Sequence, residues 1–436
     1  MSDTSDTSDT GLGYCHAVNF EPRLDIYGDL AVKVALNLQR GQRLLIIGPM
    51  MNGGVALEAA PLVRQIARSA YDAGAELVEA IWGDEALQLV RFHHARPDTF
   101  GQFSAWLPGA LEAHAKAGQA VLSVYANDPD LLQSEPPELV SALQQATSRA
   151  VMPFREHISR NATNWAVVAA ATDAWAAKVF PDAQPDRRLS QLWATIARFC
   201  RLDRADPIAA WRAHLAALAA RSDDLNRTRY AALRFRGPGT HLTVGLPAGH
   251  IWVSGESVTR FGIPFVANLP TEEVFTIADR NRVDGTVRAS KPLAHGGTLI
   301  EDFRLTFEGG RVVDLAAARG EAMLRKLVDT DANAGRLGEV ALVPHSSPIA
   351  QSGLLFYNTL FDENAASHVA FGSAYKFTLR GADAMSDAEF EQAGGNRSAV
   401  HVDFMIGSSE LDVDGMTPHG AAEPLMRAGE WAREVT

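Results

Sequence analysis

Between residues 28 and 180, stretches with apolar positions at helical spacing alternate with short unbroken apolar runs. Helical spacing covers residues 31–38, 55–73, 108–116 and 137–152; the runs cover 43–48, 76–82, 120–125 and 165–171. An unbroken run of that length reads as a strand buried on both faces, and strict alternation with helices predicts a parallel, doubly wound sheet. From 181 to 229 the chain turns rich in Ala, Arg and Trp and reads as a helical bridge, with Asp206 as cap and Pro207 at the first helical position. After Gly237-Pro238-Gly239 the pattern shortens to runs such as 242–244 and 251–253, and Glu308-Gly309-Gly310 between 303–307 and 311–315 predicts a hairpin. The expected fold class is therefore α/β: an N-terminal doubly wound α/β domain over 13–229, then a β-rich α+β domain over 230–436. The threefold Ser-Asp-Thr repeat of residues 2–10 has no apolar face to bury, so 1–12 is expected to be a disordered tail.

Composition narrows the chemistry. Only two cysteines occur, Cys15 and Cys200, too few for a disulfide framework or a thiolate zinc site, so any metal would rest on His and carboxylate. A net charge of −12, with 52 acidic and 40 basic residues, argues against a nucleic-acid footprint. No apolar stretch approaches the ~18 residues of a membrane span, and the N-terminus does not read as a secretory signal. A cytoplasmic protein without nucleic-acid or membrane partners is expected. The Asn52-Gly53-Gly54 loop lacks the phosphate-binding glycine patterns and reads as a strand-to-helix turn.

Four segments bring carboxylate and imidazole together. His401-Val402-Asp403 lies in an apolar run, so in a strand its His and Asp share a face; alone, a structural His–Asp contact explains it better. His368 follows a small-residue segment, and a helical reading of 361–375 would put it on one face with Tyr375; alone, a packed core with an incidental histidine reads slightly better. Glu272-Glu273 follows Thr271, a possible cap. Glu339 opens the apolar run 339–343, where an unpaired buried carboxylate would be costly, and either a metal or a salt bridge would relieve it. Such a set suits zinc, cobalt or manganese, and one of this size can hold two ions.

The segments 268–276, 337–343, 359–375 and 401–407, in this order and spacing, resemble the M29 family of metalloaminopeptidases, also called the aminopeptidase T family. The resemblance covers nearly the whole chain. It implies removal of N-terminal residues from short peptides with a free N-terminus, by hydrolysis with a metal-bridging water, in a homodimer. It further implies two divalent ions (zinc, cobalt or manganese) held by Glu273, Glu339, His368, His401 and Asp403, with Glu273 as the bridge. Tyr375 matches the family's tyrosine that faces the reacting carbonyl, and proton transfer falls to Glu339 first and Glu272 second. His241 stands where relatives often carry an acidic residue, outside the ligand set. Two other readings stay open: a mononuclear Fe(II) ring-cleaving dioxygenase on the related fold, and a non-enzymatic peptide-binding protein with a structural metal.

Overall fold

The computed structural model describes residues 23–296 and 298–435. The Ser-Asp-Thr tail and Cys15 lie outside the described residues. Four strands, β1 (Arg43–Ile47), β2 (Leu77–Ala80), β3 (Ala120–Tyr125) and β4 (Trp165–Ala169), form an all-parallel sheet in the order β2-β1-β3-β4. The predicted runs are these strands, trimmed by a residue or two at their ends. Helices α1 (Ala60–Asp72), α2 (Trp106–Lys116) and α3 (Pro137–Ser159) connect them. Connections that leave β1 to either side put a switch point between β1 and β3, where crevices open at the carboxyl ends of such sheets.

Two sequence expectations shift here. Helix α3 runs on through Pro153 to Ser159, because Val151 and Phe154 bury against the sheet and this packing outweighs the one hydrogen bond that proline removes. The helix expected over 31–38 begins earlier, as an α-helix at Leu24–Leu30 that continues as a π-helix over Ala31–Ala35. The bridge helix α4 (Pro207–Thr228) starts as expected, with the Asp206 carboxylate accepting from the Ala209 N–H at 3.0 Å.

Beyond it lie an antiparallel sheet of nine strands and a second antiparallel sheet, β5 (Val274–Ile277), β6 (Leu337–Leu342), β7 (His368–Gly372) and β8 (His401–Met405), in that order. The expected hairpin is present as Thr298–Glu308 paired with Arg311–Arg319 in the larger sheet. Residues 251–253 contribute only a bridge from Val253 to Phe275. The four-stranded sheet turns one face to a core shared with the larger sheet, filled by Val340, Val369, Phe371 and Phe404. Its other face carries the polar residues. The core around the parallel sheet takes in Val266, Leu269, Phe356 and Phe361 from the second half of the chain, so the two halves are packed along a common boundary.

Candidate metal centre

Residues facing each other on neighbouring strands share a face, and β7 fixes which ones do. Ala370 stands opposite Glu339 on β6 and Asp403 on β8; Gly372 stands opposite His401. With His368 two positions before Ala370, one face collects Glu339, His368, His401 and Asp403 around two residues that carry almost no side chain. Val369 and Phe371 point the other way, into the core. The helical reading of 361–375 is therefore corrected. A short helix at Thr359–Asp362 and a 3-10 turn at Glu363–Ala365 give way to strand β7, and Tyr375 lies beyond the strand. The reason is visible in the side chains: His, Ala and Gly alternate with Val and Phe, a period of two that puts one set against the core.

Gly372 adopts a left-handed backbone, φ +87°, and a Cβ there would fall on the Val400 carbonyl. That close approach brings β8 against β7.

Glu273, just ahead of β5, completes the group. Glu273, Glu339 and His368 form one triad, and Glu339, His401 and Asp403 form another, each with its candidate ligand atoms within 4.8 Å of one another. His368 Nε2 lies 3.2 Å from Glu273, 3.7 Å from Glu339 and 3.9 Å from Asp403. His401 Nε2 lies 3.9 Å from Glu339 and 3.7 Å from Asp403. In both imidazoles Nδ1 faces a backbone carbonyl, Ala366 at 3.1 Å for His368 and Ser373 at 2.7 Å for His401. A proton on Nδ1 leaves Nε2 with its lone pair toward the carboxylates, the arrangement that backs a metal-ligating histidine. The first triad is buried; the His401 and Asp403 side is half-buried and is the more accessible.

The electrostatics are unbalanced. Burial pushes the Glu339 carboxyl up, against the pull of His368 and His401. Burial opposes charge on His368 and His401, yet the carboxylates of Glu273 and Glu339 raise the first well above its ordinary value, and those of Asp403 and Glu339 raise the second. Glu273 Oε2 and Asp403 Oδ1 are buried oxygens without a hydrogen-bond partner among the described residues. Orphaned carboxylate oxygens beside imidazoles whose Nδ1 atoms are backed by carbonyls are a donor set that fits divalent cations.

The sequence-predicted residues separate into those at the cluster and one that is not. Tyr375 is at it: its ring centroid lies 4.8 Å from that of His401, on the more accessible side. Burial and the Glu339 and Asp403 carboxylates hold its phenol well above the usual tyrosine range. Glu272 is not. Its carboxylate faces Arg201, with Nη2 at 2.9 and 3.2 Å from its two oxygens, and His214 at 3.6 Å. One residue without a predicted role joins the cluster. Glu363 receives the Asn268 side-chain amide at 3.0 Å, and burial together with Glu273 and Asp403 holds its carboxyl well above the carboxylate range. The acidic Asp362-Glu363 pair ahead of the His368 strand was the only sign of it in the sequence.

Fold and cluster together define an α/β protein with a candidate two-ion His and carboxylate centre. The profile of the thermophilic metalloprotease (M29) family matches residues 20–431, and the chain belongs to that family. It is 45% identical over 416 residues to aminopeptidase 2 of Geobacillus stearothermophilus, covering 95% of this chain and 99% of the relative. The solved structure of wild-type AmpT from Thermus thermophilus superposes with a TM-score of 0.87 at 45% identity, covering 94% of this chain and 99% of that one. A dioxygenase acting on 2,5-dihydroxypyridine, from Pseudomonas putida KT2440, superposes with a TM-score of 0.52 at 13% identity over 94% of this chain and 98% of its own, which shows a shared fold.

Proposed function

We propose that the chain is a two-metal aminopeptidase that removes N-terminal residues from short peptides by hydrolysis. The observation that carries this reading is the pair of triads that share Glu339. The activity named for the relatives in the same family supports it. Glu273, Glu339 and His368 would hold one ion; Glu339, His401 and Asp403 the other. Glu339 is common to both triads and would contribute to both sites, beside Glu273, which the resemblance makes the bridge. Ions bound there, whether zinc, cobalt or manganese, supply Lewis acidity that activates water and polarises a scissile carbonyl.

The chain's own residues supply the rest. Tyr375, kept protonated by its surroundings, donates its O–H to the carbonyl oxygen as negative charge develops on it. Proton transfer to the leaving amine goes to Glu363 before Glu339, because neither triad uses Glu363 and its carboxyl holds a proton readily. Glu272, engaged by Arg201, instead holds the turn that presents Glu273. The proposal extends to a cytoplasmic homodimer with its metal-binding unit in residues 230–436, and light scattering tests the dimer.

The dioxygenase alternative needs two histidines and one carboxylate, whereas four carboxylates converge here. The deciding experiment strips the metal, restores zinc, cobalt or manganese, and assays a panel of aminoacyl-nitroanilides. Two ions per chain with amine release supports the proposal; one iron per chain with oxygen uptake and no hydrolysis overturns it.

A further inference from the structure

A cavity of about 250 Å³ opens at the carboxyl end of the parallel sheet and runs beneath helix α3. It lies at the switch point between β1 and β3, where the chain leaves β1 through Gly48-Pro49-Met50. Crevices in this position are where doubly wound folds take ligands. Its body is apolar, walled by Val151, Phe154, Trp165 and Val167.

Of the polar residues that interrupt that lining, Tyr125, Thr147 and Arg155 bear on what it could bind. Tyr125 is half-buried at the end of β3. Thr147 is buried, and its hydroxyl has no hydrogen-bond partner among the described residues. Arg155, an exposed residue, brings a guanidinium with no ion pair or hydrogen bond among the described residues, and no carboxylate lines the cavity with it. An unpaired cation over an apolar cavity is a receptor for an anion attached to an apolar body.

The cavity adjoins the metal centre. Val167, in its wall, donates its N–H to the Ala267 carbonyl at 2.8 Å and accepts from the Leu269 N–H at 3.0 Å. Asn268, between those two, donates its side-chain amide to Glu363. Burial pushes the Tyr125 phenol up, with Arg155 opposing that shift and Glu363 adding to it. The cavity and the neighbouring cluster thus differ in character: carboxylates and imidazoles at the candidate metal centre, a guanidinium at Arg155.

We propose that the cavity receives the part of the peptide beyond the scissile bond, and that Arg155 binds the C-terminal carboxylate. The inference rests on the aminopeptidase reading and deepens it. A peptide whose N-terminal residue is held at the metal centre would direct its C-terminal carboxylate toward Arg155. Short peptides with an apolar residue after the scissile bond and an unblocked C-terminus are the substrate class that fits.

The test uses the metal-loaded full chain and matched tripeptides that differ only in a C-terminal carboxylate or amide, with an aminoacyl-nitroanilide as reference. The readout is the ratio of kcat/KM for acid over amide. A charge-assisted contact predicts a ratio of about 10 to 100 in the unaltered protein, carried mainly by KM. Arg155→Gln should bring that ratio near one, and Arg155→Glu should invert it. A ratio that is the same in all three proteins overturns the inference while leaving the peptidase reading intact. Absence of hydrolysis of every peptide and of the nitroanilide overturns both.

Discussion

Two places in the second half of this chain bury carboxylates, and they treat them in opposite ways. Asp414, in the large antiparallel sheet, is buried and receives Arg234 at 3.0 Å, Arg236 at 2.7 Å and Arg427 at 2.6 Å. Burial alone would raise its carboxyl, but these guanidiniums hold it below the usual aspartate range. The cluster on the four-stranded sheet gathers Glu273, Glu339, Glu363 and Asp403 around two imidazoles, and buried oxygens are left without partners. A folded chain that matches one buried anion with three cations has the means to match others. Gathering four carboxylates with no arginine or lysine between them among the described residues, two of their buried oxygens unpartnered, suits a site that positive charge from outside the chain completes. Surplus buried charge, more than burial itself, separates a site from a structural ion pair.

Breaking the cluster should have the largest effect. Glu339→Gln removes the residue common to both triads, so metal content should fall and kcat should drop by more than the ~100-fold that loss of a residue behind a ligand costs. The same variant, stripped of metal, should melt higher than the stripped parent, because a repelled buried charge is gone. Two ions per chain with activity retained would sink the shared-ligand assignment. Tyr375→Phe should lower kcat by about 100- to 1,000-fold while elemental analysis finds the metal content unchanged.

Asp414→Asn probes the matched side. It should cost about 2 to 3 kcal/mol in denaturant unfolding with metal content unaffected, below the ~3 to 5 of a fully buried pair because the arginines are partly exposed. His214 gives a smaller effect and a pH signature. Burial first, then Arg201, pushes its pKa down to about 4. The folded state therefore refuses a proton that the unfolded chain takes up near its ordinary 6.5, so stability falls as pH drops through that window. Between pH 7 and pH 5 the loss is on the order of 2 kcal/mol. Metal-stripped His214→Gln should show a flatter melting profile over this range, and an unchanged slope would contradict the assignment.

Much of this was legible in the sequence, and the limits have physical causes. The four parallel strands stood out because each is an apolar run between helical periods, and Asp206-Pro207 marked the start of α4 through local capping chemistry. His401 and Asp403 were readable because a two-residue spacing fixes a common face in any strand. The segment around His368 misled because every position of β7 is buried, so exposed and buried positions do not alternate along it. Glu272 and Glu273 are adjacent and chemically identical. What separates them is Arg201, far back in the chain and invisible to local pattern. Glu363 was passed over for the same reason: its significance comes from Asn268, Glu273 and Asp403, which only the folded backbone brings near.

The order of strands in the metal-bearing sheet also governs when the site can exist. Glu273 precedes its first strand and Asp403 lies in its last, so a chain emerging from the ribosome holds one half of the donor set long before the other is made. No fragment ending before β8 can gather it. Only the Glu339, His401 and Asp403 triad needs the last strand closed against Gly372; the Glu273, Glu339 and His368 triad is complete one strand earlier.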